Sequence, residues 1–526
     1  MERGRGETSR WRRGLAVLAA CLLMGGTPLA ASGGPRPAPR ATPRAAAERG
    51  LEAQLLEDIT TLASDDFAGR EPGTEGEAKT LRWLGRQWFD AGLVSGTNDP
   101  GHPWFAPVAL VAREPVGSAL QFWRRGRQVL VEPGTALVLT SGRRSLVEGA
   151  PLLFVGHAQG ERGVPPRTEL AGRIAVLLDS PAAGADLRVV GAGSRQDALL
   201  AGGAAGVLTV LDGPRSLDSV SARRRRSGYA LAGEALGGDL EGFITSAAMD
   251  RVLSAAGGSL RALAAEADSP AFQPRLIELE ASMEATTRET TIRTHNLIGR
   301  LPGRHPEAGA VLLLAHWDHF GTCAQPPAEH LICNGAIDNA SGIAALTEVA
   351  RRLSKAPQAE RDIYFLATTA EELGLLGAEA FADNPPLPLE RIVAAFNLDS
   401  VAIAPRGTAL GIVGKGLTRL DPVIAEVARE QHRKLIEGAG ANVWLHRQDG
   451  WALIQHDVPA VMVSSAYGDL PRLEAFFDHD YHRPGDVVKP GLELGGMAED
   501  VQFHVALARW FADPRKYGGA GRETGR

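Results

Sequence analysis

Between residues 310 and 464 the sequence alternates short apolar runs with amphipathic ones, and this alternation constrains the fold more than any other feature. Ala310–Ala315, Asp362–Ala367, Ile392–Asn397 and Ala460–Ser464 are five or six residues long and nearly continuous in apolar character. Strands buried on both faces have this pattern. Between them, Gly342–Leu353 and Leu373–Phe381 keep helical spacing. Strands and helices in turn predict an α/β fold, with a mostly parallel central sheet flanked by helices.

In such sheets ligands bind beyond the carboxyl ends of the strands, so the residues at those ends carry the functional information. The first run leads into His316-Trp317-Asp318-His319, the second into Thr368-Thr369-Ala370-Glu371-Glu372 and the third into Leu398-Asp399. The fourth leads through a loop to His479-Asp480-Tyr481-His482, and Asn334–Gly342 sets Asp338 just before a helix. Taken singly, each has an ordinary explanation as a turn, a helix cap or a dipole partner. Taken together, the carboxylates would repel one another and raise their pKa values, and these motifs contain no Lys or Arg beside them. Divalent cations supply the missing positive charge. Mixed His and carboxylate ligation suits zinc, with cobalt or manganese as substitutes. A catalytic metal lowers the pKa of water from about 15.7 to about 7. A neighbouring carboxylate must then move protons, and adjacent Glu371 and Glu372 can divide ligation and proton transfer.

A chain of 526 residues suggests two or three domains, and 44% apolar residues suggest a well-filled core. The net charge of −6 argues against nucleic-acid binding. The run Arg223–Arg226 reads as a solvated loop. At the N-terminus, Arg10, Arg12 and Arg13 precede an apolar run from Gly14 to Met24, too short to span a bilayer. Residues 1–31 are therefore expected to be an export signal, cleaved near Ala31. Leu18-Ala19-Ala20-Cys21 also fits a lipoprotein box, with Cys21 as the lipidated residue. Residues 32–48 are expected to be a disordered linker.

From about Val116 the pattern changes to short β-like runs, at Ala136–Leu139, Pro151–Val155, Arg173–Leu178 and Gly206–Val210, with helical stretches at Gln196–Ala201 and Ala247–Ala264. No tight group of His, Cys, Asp and Glu falls in this third, which reads as an insertion without chemistry of its own. The expected organisation is 49–115 as the first part of the catalytic domain, 116–288 as the insertion, 289–514 as the remainder and 515–526 as a flexible tail.

The motifs AHWDHFG at 315–321, NGAIDNASG at 334–342, TAEELGLLG at 369–377, FNLDS at 396–400 and YHRPGD at 481–486 resemble those of zinc-dependent aminopeptidases and glutamate carboxypeptidases. DDFAGREPGTEGE at 65–77 extends the resemblance. LAGRIAVLLD at 170–179 and GGAAGVLTV at 202–210 resemble the protease-associated (PA) insertion of one branch. The resemblance implies a zinc-peptidase/phosphorylase-like fold, two zinc ions per chain and a peptide substrate. It implies that His316 and Asp399 bind one ion, Glu372 and His482 the other, and Asp338 both. Glu371 would be the general base acting on a metal-bridging hydroxide. Asp318 would orient His316, and Asp486 would do the same for His482. A Ser-Asp-His piece usual in the family is replaced by Gln448-Asp449-Gly450, and Asp449 and His330 are candidates for the substrate pocket.

Cys323 and Cys333, both in the loop between His316 and Asp338, are expected to pair in an exported chain. The expected reaction is removal of N-terminal residues from peptides. The alternatives are a carboxypeptidase acting on acidic C-termini, a glutaminyl-cyclase-like transferase with one zinc, and a non-catalytic receptor. The intact set of five ligands disfavours the last two.

Overall fold

The structure, a computed structural model, describes residues 43–158, 163–180, 192–213, 215–221, 228–234 and 237–519. The expected signal segment 1–31 with Cys21, the linker up to residue 42, Arg223–Arg226 and the last residues of the tail lie outside the described residues. Glu48–Arg526 forms one compact unit. Among the described residues no helix is long and apolar enough to cross a membrane.

The first helix, Pro43–Leu62, starts inside the segment expected to be a linker. The run Ala45-Ala46-Ala47 has high helix propensity, and Pro43 is tolerated in a first helical turn. A tight turn, Asp65–Arg70, follows, with Ala68, Gly69 and Arg70 all at positive φ. Gly69 is needed there for space as well: a Cβ would stand 2.5 Å from the Cys333 carbonyl oxygen and 2.8 Å from the Gly321 Cα. Helix Glu75–Asp90 then packs Leu84 and Trp88 into the core, and Gly92, at φ +92°, ends it.

The catalytic part of the sheet is built as the alternation predicted. Ala310–His316, Asp362–Thr368, Ile392–Asn397 and Ala460–Ser464 are mutually parallel. Antiparallel strands close this group on both sides, Gly411–Val413 against Ala460–Ser464 and residues 297–301 against Asp362–Thr368. Helices Gly342–Ser354 and Gly495–Phe511 share a core with one face of these strands through Ile343, Leu346, Val501 and Leu507.

The middle third has its own apolar core. Arg144–Gly156, Ile174–Leu178, Gly206–Leu211 and Leu240–Thr245 run parallel in that order, with Ala136–Thr140 antiparallel on the outer edge. Leu152, Phe154, Val176, Leu208 and Met283 fill the centre. The stretch expected to be one helix from Ala247 to Ala264 is two, Ser246–Ala255 and Leu260–Ala267. Gly257-Gly258 separates them, with Gly257 at φ +79°.

Two long strands join the cores. Phe105–Arg124 pairs antiparallel with Arg275–Leu301 along its whole length. The expected domain limits at 116 and 288 therefore fall inside strands that run on through both parts. The irregularity the sequence signals is a bulge: Gly117 faces Thr286 and Pro115 faces Thr287, leaving Val116 unpaired and exposed. Pro115 lacks the N–H that a regular ladder position uses, so the register slips there.

Candidate metal centre

Beyond the carboxyl ends of the parallel strands, six of the predicted residues meet: His316, Asp338, Glu371, Glu372, Asp399 and His482. His316 is the last residue of its strand and is buried. Its Nδ1 lies 3.1 Å from the Asp318 carbonyl oxygen, which makes Nδ1 the protonated nitrogen and turns Nε2 inward. Nε2 stands 3.2 Å from Asp338 Oδ1, 3.6 Å from Asp399 Oδ1 and 4.0 Å from Glu371 Oε2. His482, held at φ +57° just past helix Leu470–His479, sets its Nε2 2.9 Å from Glu372 Oε2 and 3.3 Å from Asp338 Oδ2. The two oxygens of Asp338 thus face two different histidines.

Several expected roles are redistributed. The Asp318 carboxylate is 3.7 Å from His316 Nδ1, farther than its own carbonyl. That carboxylate instead accepts from the backbone N–H groups of Glu371 (3.1 Å) and Glu372 (3.4 Å), fixing the turn that presents both acids. Asp486 does not hydrogen-bond His482; it accepts from the N–H groups of Ile337 and Asp338. His330 is a surface residue beside Asp65 and the Pro484 carbonyl, away from the centre's walls. Asp449 is wholly buried and accepts from the Thr368 hydroxyl, so it lies behind the site rather than in a pocket. Its neighbour Gln448 accepts from the Asn397 amide at 2.9 Å, two residues before Asp399.

Two residues of the site escaped the sequence reading. His319 is buried, and its Nδ1 is 2.5 Å from Glu372 Oε1, so the two oxygens of Glu372 are divided between His319 and His482. Arg70 is the cation the catalytic motifs lack. It arrives from the N-terminal turn, is 1% exposed and donates to four carbonyls: Trp317, Leu62, Asn334 and Gly335. It therefore stitches the loop after His316 to the loop before Asp338. The DDFAGREPG stretch was visible in sequence, but nothing local shows where the Arg70 side chain goes. Cys323 and Cys333 are joined in a disulfide within the same loop region.

The electrostatics follow from crowding acids in a buried space. Burial raises the pKa of Glu371 well above the usual carboxylate range; His316 pulls it down, while Glu372, Asp449 and Asp399 push it up. Burial and nearby Asp318 and Asp399 raise Asp449 to about 7 against the pull of His316 and Thr368. Burial alone depresses an imidazole, but the Glu372 charge and the close Asp338 and Glu372 oxygens outweigh it and raise His482 to about 9. Burial lowers the Arg70 guanidinium to about 10 although Asp486, Asp338, Asp318 and Glu372 hold it charged.

This donor set fits divalent cations. The Nε2 atoms of His316 and His482 and Oδ2 of Asp338 are buried without a hydrogen-bond partner, which is costly unless something else pairs with them. Two triads of potential ligands, His316/Glu371/Asp399 and His319/Asp338/Glu372, have donor atoms within 4.8 Å of one another. These triads differ from the expected sets, with Glu371 and His319 standing where Asp338 and His482 were assigned. Asp338 lies nearer His316 than Glu371 does, at 3.2 against 4.0 Å, and nearer His482 than His319, at 3.3 against 4.0 Å, whereas Glu372 lies nearer His319 than His482, at 2.5 against 2.9 Å. Among the described residues both triads lie between residues 316 and 399 and none between residues 116 and 288.

Two recesses flank the centre. A narrow one beside Asp399 is walled by Trp444, Tyr467, Phe477 and Tyr481, with Arg447. A cleft of about 300 Å³ beside His482 is walled by Glu71, Tyr229, Ile292, Phe320 and Leu373 among others.

Residues 296–498 match the model of peptidase family M28. Aminopeptidase YwaD of Bacillus subtilis (strain 168) is 33% identical over 126 residues, 24% of this chain and 25% of that protein. A vacuolar membrane protease of Candida dubliniensis is 34% identical over 125 residues, 23% of this chain and 12% of that protein. The matched stretch thus spans a quarter or less of these relatives' own lengths. The solved aminopeptidase from Aneurinibacillus sp. strain AM-1 shares the fold, with a TM-score of 0.53 at 19% identity, covering 88% of this chain and 93% of that one.

Proposed function

From the match of residues 296–498 to the model of peptidase family M28, we propose that this chain is a member of that family and an exported two-zinc exopeptidase that removes N-terminal residues from peptides. The observation that carries the reading is the division of Asp338, with Oδ1 toward His316 and Oδ2 toward His482. A carboxylate so divided would serve two cations at once, as in two-metal hydrolytic sites. His316 and Asp399 hold one, Glu372 and His482 the other. When bound, the pair supplies Lewis acidity toward the scissile carbonyl and acidifies water.

The chain's own groups do the rest. Glu371 stands beside the ligands without being needed as one, and its burial raises its proton affinity. It takes the proton from the attacking water and passes it to the leaving amine. The Asp318 carboxylate, bonded to the Glu371 and Glu372 N–H groups, keeps that acid on its side of the centre. Residues 116–288 act as a PA-type insertion that borders the cleft through Tyr229 and supplies no ligand. The Cys323–Cys333 disulfide supports an exported protein.

The test is turnover of amino-acid anilides against acidic C-terminal dipeptides, with metal counted on the same preparation. Hydrolysis of anilides with two metals per chain is expected. Activity confined to the acidic dipeptides, or full activity with one tightly bound metal, would refute the reading.

A further inference from the structure

The cleft beside His482 contains a charge that the catalytic reading does not use. Glu71 follows Arg70, whose buried guanidinium pins the backbone, so the position of Glu71 is set by the core rather than by a free loop. Its side chain lies across Gly321. A Cβ on Gly321 would fall 2.4 Å from Glu71 Oε2, and Gly321 also sits at φ +62°. The glycine therefore leaves room for the carboxylate, one residue from Phe320, whose ring packs edge-on against His482 at 4.5 Å. On the opposite wall stands Tyr229 of the insertion. Burial, and next the Glu71 charge, raise its phenol pKa, as expected when the two face each other.

Glu71 makes no side-chain hydrogen bond or ion pair among the described residues, and partial desolvation raises its pKa. The cleft beside it combines apolar groups, Pro72, Ile292, Phe320 and Leu373, with Tyr229, Thr322 and the two histidines, and Glu71 is exposed at its mouth. An acid with no protein partner beside the aliphatic and aromatic wall of Ile292, Phe320 and Leu373 favours a ligand that brings a cation on a hydrocarbon stem.

Which part of a peptide enters there follows from the shape of the two recesses. The recess beside Asp399 is nearly closed by its aromatic walls, with about 10 Å³ free. The peptide beyond the scissile bond needs the wider opening, which is the cleft beside His482. We propose that Glu71 is a specificity residue that selects a lysine or arginine side chain on the residue following the scissile bond. This rests on the aminopeptidase reading.

The experiment compares kcat/KM of the metal-loaded protein on matched peptides Leu-Lys-Ala and Leu-norleucine-Ala, with leucine anilide as a substrate lacking a second residue. The expected preference for lysine is about two- to fivefold, the effect of one partly solvated ion pair. It should weaken with added salt. Glu71→Gln should bring the ratio close to one, and Glu71→Lys should reverse it, favouring glutamate over glutamine at the second position. Equal turnover of both peptides by the unaltered protein, or a lysine preference that survives Glu71→Gln, overturns the assignment while leaving the aminopeptidase reading intact. Failure to cleave the anilide and both peptides removes that reading, and this proposal with it.

Discussion

The Asp486 carboxylate accepts hydrogen bonds from the backbone of the residue that faces both histidines: Oδ2 from Asp338 N–H at 3.0 Å, and Oδ1 from Ile337 N–H at 2.9 Å. Asp338 lies in an irregular turn, with φ −104° and ψ 96°, ahead of helix Gly342–Ser354. Regular helical bonding does not fix it, so Asp486 does. Asp486→Ala is expected to leave the fold in place and weaken metal binding by about 10–100-fold, the range typical of groups that support ligands. Titration of the metal-free protein with zinc checks this, and wild-type affinity would show that the turn holds itself.

The neighbouring acids Glu371 and Glu372 should separate by experiment. Glu371→Gln is expected to keep its metal and lose about 10²–10⁴-fold in kcat, the usual contribution of a general acid–base group. Glu372→Gln removes a charge that contacts both His319 and His482 and is expected to lose metal first. Metal content and kcat measured on both variants decide the assignment, and the opposite pattern reverses it.

Metal affinity should rise with pH. Without metal, the His482 pKa is raised to about 9, so at neutral pH the ring carries a proton that ligation must expel. Below pH 9 this group alone contributes about one decade of affinity per pH unit gained, and above it nothing further. Calorimetric zinc titrations between pH 6 and 9 should show proton release that shrinks toward the upper end. Release that does not vary with pH would mean His482 is already neutral.

Arg70→Ala removes a donor from four carbonyls at once in a site with almost no water access. Each buried acceptor left unsatisfied costs about 1–3 kcal/mol. The expected loss is about 3 kcal/mol or more, read as a lower urea midpoint at unchanged m-value. Arg70→Lys should recover part of it, since an ammonium keeps the charge but lacks the planar fork.

What sequence could reveal here was whatever local spacing determines. The four parallel strands were legible because burial on both faces writes a continuous apolar run. The acids at their ends were legible because chain direction puts those ends on one edge. The partners of Asp486, His319 and Arg70 were not legible. Arg70 bonds a carbonyl 247 residues away, and no periodicity encodes such a contact. Asp486 was expected to serve its near neighbour His482, yet it serves a turn 148 residues earlier. His330 and Asp449 looked like pocket residues because they lie close in sequence to ligands or motifs. One faces solvent beside Asp65, and the other is enclosed beneath Thr368. The expected limits at 116 and 288 fall inside paired strands for a related reason: Pro115 and Val116 mark a bulge, and a bulge resembles a boundary when the pairing strand lies some 170 residues downstream.

That distant pairing governs the order in which the chain can be built. Phe105–Arg124 finds its partner only when Arg275–Leu301 exists, so every residue of the insertion must leave the ribosome before the ribbon can close. The same late strand completes the catalytic sheet at Asp362–Thr368, and there Asn296 accepts from the Thr369 N–H, two residues before Glu371. Loop-closure entropy makes such long-range contacts slow to form. The turn that carries the two acids is therefore among the last pieces to set. A chain stalled before residue 296 holds the insertion's strands and none of the catalytic ones.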